Sequence, residues 1–154
     1  MIQNLIVALS NFPAIFPLYQ TIKKNDYLTF GVISFVTTGS FLSHLVENHK
    51  HGMPGIGFSK EVSYLLNRMD VLGCLLVGCR FGYLYFDKYG FDYNLIIKAK
   101  FFSGLVIMSF LMLQISEYDK YNPRLRNRYI VTHSIWYIGI FTTMNYLLKR
   151  FIYQ

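Results

Sequence analysis

Charge is confined to short intervals along this chain. Met1 to Ile22 carries no Asp, Glu, Lys or Arg, and neither does Tyr27 to Val46, Phe101 to Ser116 or Tyr129 to Leu148. An α-helix needs roughly 20 apolar residues to cross the ~30 Å hydrocarbon core of a bilayer. Three of the four runs reach that length and the third is a little short. A helix on the surface of a soluble domain alternates an apolar stripe with a charged outer face at a period of 3.6 residues. These runs have no such face. The pattern predicts an all-α fold, a multi-pass transmembrane helix bundle of about five spans. A single transmembrane domain over residues 1–154 then makes the chain an integral membrane protein.

Composition agrees with that reading. The chain is 53% hydrophobic and 15% charged, with a formal net charge of +7. The Lys and Arg residues sit in the connections, where they meet lipid headgroups. A nucleic-acid partner calls for a basic patch on a soluble face or a known binding motif. The sequence has neither, so membrane lipids are the expected partners. Cys74 and Cys79 are five apart and point away from each other on a helix, so no disulfide is expected between them. "GMPGIG" lacks the lysine of a phosphate-binding loop and reads as a turn. The N-terminal run has no basic leader before it and no small-x-small cleavage site. It reads as a retained first span.

The spans fall at about Ile2 to Tyr19, Tyr27 to Glu47, Val62 to Tyr85, Leu95 to Ile115 and Tyr129 to Leu148. Pro13 and Pro17 are expected to kink the first. The second, with "SFVTTGSFLSH", is rich in the small and hydroxyl residues that favour close helix contact in membranes. The third holds Asn67, Arg68, Asp70 and Arg80, and Gly73, Gly78 and Gly82 let a neighbour approach it.

Three ionisable groups converge on this topology. His44 lies about one turn from the end of the second span. Asp70 lies near the start of the third, and His133 near the start of the fifth. At ~1.5 Å per residue, His133 falls roughly 7 Å and Asp70 roughly 12 Å below one shared surface. Ionisable groups inside membrane spans are costly and usually face a partner, a bundle interior or a wet cavity. Imidazoles and a carboxylate brought together from separate helices make a candidate zinc site. Ser40 shares a face with His44, and Tyr137 shares one with His133, each at a spacing of four. Taken singly, His44 reads as an interfacial histidine, Ser40 as a packing residue and Tyr137 as part of an aromatic belt. His49 and His51 flank Lys50 in a polar loop. Asp70 calls for a partner on another helix, because Arg68 points elsewhere.

The same residues carry a resemblance. "SFLSH" fits a Ser-x-x-x-His motif, "NRMDVLG" supplies an Asp, and "HSIWY" looks like a His-Ser-x-Trp/Tyr-His segment. In this order they resemble the CREST superfamily of membrane hydrolases, which includes the alkaline ceramidases and the progestin/adiponectin receptors. The myomaker-like branch is the nearest in flavour. The resemblance covers these three segments and implies a bundle of seven helices that holds zinc through three histidines and hydrolyses an amide in a lipid. Carried over, it makes His44 and His133 zinc ligands, Asp70 a water-orienting or acid/base group, and Ser40 an oxyanion or supporting partner. The chain departs from the pattern in two ways. Tyr137 stands where the family's last histidine would be, and five spans replace seven. The third ligand is then either missing or supplied by Asp70, His49, His51 or Tyr137, and tyrosine is a poor zinc ligand unless deprotonated.

The expected function is zinc-dependent hydrolysis of a lipid amide or ester. Two rivals stand beside it. One is a catalytically inactive relative whose polar cluster staples the bundle and which acts as a structural or partner-binding membrane protein. The other is a proton or ion pathway lined by Asp70, His44 and His133.

Overall fold

The computed structural model describes residues 2–46, 59–92, 94–120 and 122–154. Among them the regular structure is entirely helical. The first run forms α1 (Ile2–Leu9), a 3₁₀ turn at Phe12–Ala14 and α2 (Ile15–Lys23). The break falls at Pro13, as the sequence predicts. Pro17 sits in the first turn of α2, where its missing N–H leaves no bond unmade.

A tight connection joins α2 to α3 (Tyr27–Val46). Asn25 takes a left-handed backbone, φ 56°, which Asn tolerates better than most residues. The Asp26 amide then reaches back to the Thr21 carbonyl at 2.9 Å, ending α2 in a Schellman motif. Asp26 goes on to cap α3 by accepting from the Thr29 amide at 3.0 Å. Ser59 caps α4 (Lys60–Tyr89), and Gly90 ends it at φ 60°. A short α5 (Asn94–Lys98) bends at Ala99 into α6 (Lys100–Asp119). The fourth span, expected at about Leu95 to Ile115, therefore starts later and ends later, at Lys100 and Asp119. A Pro123–Leu125 turn, capped by Asn122, leads to α7 (Arg126–Leu147) and a π-helical turn at Leu148–Ile152.

Four of these stretches are long and apolar enough to cross a membrane: Ile2–Lys23, Tyr27–Val46, Glu61–Tyr89 and Lys100–Asp119. The fifth, α7, has the length at 22 residues but not the apolarity. Its place in the fold explains the difference. Ten of its residues are buried, among them Tyr129, His133, Trp136, Tyr137 and Phe141. Other helices shield α7, so it can carry threonines, a histidine and an asparagine that an outer helix would expose.

The long helices form an open arc. α4 packs on α3, α3 on α1 and α2, these on α7, and α7 on α6. The two ends of the arc, α4 and α6, hardly touch among the described residues. Between α3 and α4 the backbones come very close. A Cβ on Gly73 would lie 2.8 Å from Val36 Cα, and one on Gly39 would lie 3.4 Å from the Asp70 amide nitrogen. These two glycines draw the middle of α4 against the middle of α3.

At the far end of the bundle, Asp26 gathers a second polar cluster. Arg80 donates to Asp26 Oδ1 at 3.1 Å and to Thr29 Oγ1 at 2.8 Å. The Tyr153 hydroxyl donates to Asp26 Oδ2 at 2.9 Å. Lys88 reaches the carbonyls of Ile152 and Gln154, and Tyr89 that of Phe151. The C-terminal turn is thereby tied to α4.

Candidate functional site

The structure brings His44, Asp70, His133, Ser40 and Tyr137 together near the end of the bundle where α3 finishes and α4 and α7 begin. His44 Nε2 lies 3.3 Å from His133 Nε2, 2.8 Å from the Tyr137 hydroxyl and 4.0 Å from Asp70 Oδ2. The imidazoles meet edge to face, with ring centroids 4.8 Å apart. All but Asp70 are at most 5% exposed. Asp70 pairs with neither Arg68 nor Arg80. Arg80 is held by Asp26, and Arg68 lies over the Tyr64 ring. The inter-helix partner expected for Asp70 is His44. His49 and His51 lie outside the described residues.

Local structure fixes each imidazole. Ser116 Oγ donates to the Leu113 carbonyl at 2.8 Å, so its oxygen is left to accept from His133 Nδ1–H at 3.0 Å. A neutral His133 protonated at Nδ1 presents a bare Nε2 toward His44. His44 belongs to the last turn of α3, whose carbonyls have no partner within the helix. Asn4 of α1 fills that need by donating its side-chain amide to the His44 carbonyl at 3.0 Å. Ser63 of α4 does the same for Val46 at 3.3 Å.

Counting donors and acceptors shows what the cluster can hold. If the Tyr137 hydroxyl donates to His44 Nε2, two bare nitrogens face each other at 3.3 Å. That arrangement is repulsive without a proton or a cation between them. Asp70 Oδ1 is buried with no hydrogen-bond partner, which adds a further acceptor, and the buried Ser40 hydroxyl can turn to donate or to accept. Unpaired buried acceptors are expensive, and a cation satisfies several at once. Two nitrogens on a tetrahedral zinc at ~2.0–2.1 Å stand about 3.3–3.4 Å apart, which the histidine pair already matches. The carboxylate stands farther off. Among the described residues no group of three or more His, Cys, Asp or Glu side chains is gathered as a ready ligand set. The residues fit a cation held by two histidines, with Asp70 close enough to reach it by a small shift.

A cavity of about 540 Å³ opens directly below the cluster, between α4, α6 and α7. His44, Asp70 and His133 line its head together with Asn67, Glu117 and Lys120. The rest of its wall is apolar, with Leu75, Val77, Phe110, Trp136, Phe141 and Met144. Two of its walls, α4 and α6, hardly touch each other among the described residues.

Sequence reasoning missed Ser116 and Asn4. For Ser116 a signal existed. It and His133 lie nearly symmetric about the Pro123–Leu125 turn, so an antiparallel hairpin sets them opposite each other. Asn4 gave no signal, because nothing in the sequence says which helix covers the end of α3.

The site thus sets a buried histidine pair at the head of an apolar cavity, two of whose walls, α4 and α6, are long and apolar enough to cross a membrane. The chain belongs to one family with a protein of Acanthamoeba polyphaga mimivirus that is described as uncharacterized. The two are 54% identical over 151 residues, which cover 98% of this chain and 99% of the relative. No protein-family model matches the chain, and no solved structure matches it.

Proposed function

We propose that the chain is a multi-pass integral membrane protein whose histidine pair holds zinc and hydrolyses an amide or ester bond in a membrane lipid. The observation that carries this reading is the 3.3 Å approach of His44 Nε2 to His133 Nε2 beside the buried Asp70 carboxylate, one oxygen of which has no hydrogen-bond partner. The apolar cavity beneath and the resemblance to the ceramidase-like superfamily support the lipid substrate.

Zinc, when bound, supplies a Lewis acid and a water acidic enough to be a nucleophile near neutral pH. The chain supplies the rest. His44 and His133 hold the ion, and Ser116 keeps the His133 tautomer that leaves Nε2 free to bind. Asp70 takes up a proton at a carboxylate oxygen and hands it to the leaving group. The Ser40 and Tyr137 hydroxyls donate to the carbonyl oxygen as it gains charge. The low-dielectric surroundings strengthen those hydrogen bonds.

Metal analysis of the full chain purified in mild detergent tests the reading. About one zinc per chain is expected, and His44→Ala and His133→Ala should each lose it. A well-folded protein that takes up no zinc refutes the proposal. The 2.8 Å bond between Tyr137 and His44 supports the rival, in which the same cluster is a hydrogen-bonded staple without chemistry. The staple reading expects His133→Asn to keep full function in cells.

A further inference from the structure

We infer that the end of the bundle opposite the histidine pair is a docking surface for anionic lipid headgroups, gripped by Lys23, Lys24, Lys149 and Arg150. The inference rests on the membrane part of the reading above and is independent of the hydrolase part.

Three elements bring cations to this surface. Lys23 and Lys24 close α2, and Lys149 and Arg150 stand in the π-helical turn that follows α7. α2 touches that turn directly. Phe151 of the turn meets Phe102 of α6 with ring centroids 5.7 Å apart, which brings Lys100 to the same end. All five cations are exposed. Among the described residues none of them has an ion-pair partner.

The nearby acids are turned or engaged elsewhere. Asp26 is held by Arg80 and Tyr153, and Asp92 accepts from the Asn94 amide at 2.9 Å. Asp87 is turned ~100° from Lys88 and ~160° from Tyr89 around α4, away from the C-terminal turn that both of these bind. The histidine end mixes its signs instead. There Arg128 pairs with Asp119, Lys120 with Glu117, and Glu61 opens α4.

The start of α6 adds a second reason. A helix start is a positive pole and favours an acid. α6 nevertheless opens on Lys100, with no acid in its first turn and no side-chain cap at Ala99. An anion supplied from outside answers the like charges and the helix pole together. Headgroup phosphates and carboxylates lie in a plane at the depth where these helices stop. Tyr27 and Phe91, both largely exposed, stand at the same end, where aromatic rings sit between lipid and water. Each Lys or Arg beside an anionic surface strengthens binding about fivefold. Anionic lipid lies mostly in the cytoplasmic leaflet, so docking turns the C-terminal turn to the cytoplasm and the histidine pair to the other face.

The test reconstitutes the full chain in phosphatidylcholine with a trace of spin-labelled lipid. Electron spin resonance reads the motionally restricted fraction. Spin-labelled phosphatidylserine should be preferred to phosphatidylcholine, less so at high salt. Lys149→Gln with Arg150→Gln, and Lys23→Gln with Lys24→Gln, should each lower the preference about fivefold per cation or down to parity. Lys149→Arg with Arg150→Lys should keep it, and so should Arg124→Gln with Arg126→Gln at the other end. An epitope placed after Gln154 should stain in cells whose plasma membrane alone is permeabilised.

Equal restriction of both lipids, or an equal loss in the Arg124 and Arg126 variant, overturns the docking surface. Variants that abolish binding of inositol hexakisphosphate but spare the lipid preference assign the cations to a soluble partner and overturn it too. Staining before permeabilisation, or only after every membrane is opened, overturns the orientation. A chain that restricts neither lipid fails the membrane reading itself, so the two failures are told apart.

Discussion

Ser116 shows how one hydroxyl decides what a histidine can do. It is fully buried and accepts the only proton His133 carries in its neutral form, so the other ring nitrogen is left as a ligand. Ser116→Ala removes that acceptor and leaves a buried N–H unpaired. Where the pair holds zinc as proposed, its affinity should fall roughly 10–100-fold, read by competition with a chromophoric chelator, with ~1–3 kcal/mol lost from stability. Gly73 makes the opposite kind of point. Gly73→Ala sets a methyl 2.8 Å from the Val36 backbone and forces α3 and α4 apart. A loss of ~1–3 kcal/mol is expected, measured by denaturant unfolding in detergent micelles. At this scale the sequence was informative where residue type is rare in its setting. A histidine or aspartate inside an apolar run is conspicuous, so His44, Asp70 and His133 could be read. Ser40 and Tyr137 followed from their spacing of four to a conspicuous neighbour. Ser116 and Asn4 are ordinary in a membrane-type helix and become meaningful only when a partner is placed opposite.

The turn between α2 and α3 acts as an element whose integrity depends on protonation. Burial pushes the Asp26 carboxyl upward, but bonds from the Thr29 hydroxyl and amide, the Tyr153 hydroxyl and the Arg80 guanidinium outweigh it and hold its pKa below the usual value of 3.8. A depressed folded value means that the stabilising contribution is complete above the unfolded pKa and is lost as pH falls through the folded one. The C-terminal turn should therefore stay attached at neutral pH and loosen below about pH 4. Protease release of the last residues during an acid titration would show it, and Asp26→Asn should remove that acid step. The same carboxylate raises the pKa of the Tyr153 phenol, which burial already pushes up. Element boundaries were less legible than element existence. Charge marked where spans could not continue in lipid, but helices run on past the charges. α6 extends to Asp119 and α7 begins at Arg126, where the two helices are joined by a bidentate pair between Arg128 and the fully buried Asp119.

The arrangement of the helices was not legible from the sequence. Hydropathy treats each run alone, so it could not tell that α7 would be the covered helix or that α4 and α6 would be the free ends of an arc. The consequence is measurable. Amide exchange in micelles should be slowest along α7 around His133 to Phe141, where side chains are packed on several sides. It should be faster in the parts of α4 and α6 that face the gap, because protection follows local packing. Uniform protection across all long helices would mean that the arc closes in solution. The convergence of three helices on one site could be anticipated, because chain direction alternates and depth can be counted from each span end.

α4 has 30 residues, and a helix of that length measures ~45 Å, well beyond a ~30 Å hydrocarbon layer. In the membrane proposed above, such a rod leans or leaves its charged ends among the headgroups, and it leans less as the bilayer thickens. It is braced by α3 along one flank and by the C-terminal turn, and its other flank lines the cavity. On the membrane reading, the thickness of the host bilayer then becomes a mechanical input to the width of the gap that α4 leaves beside α6.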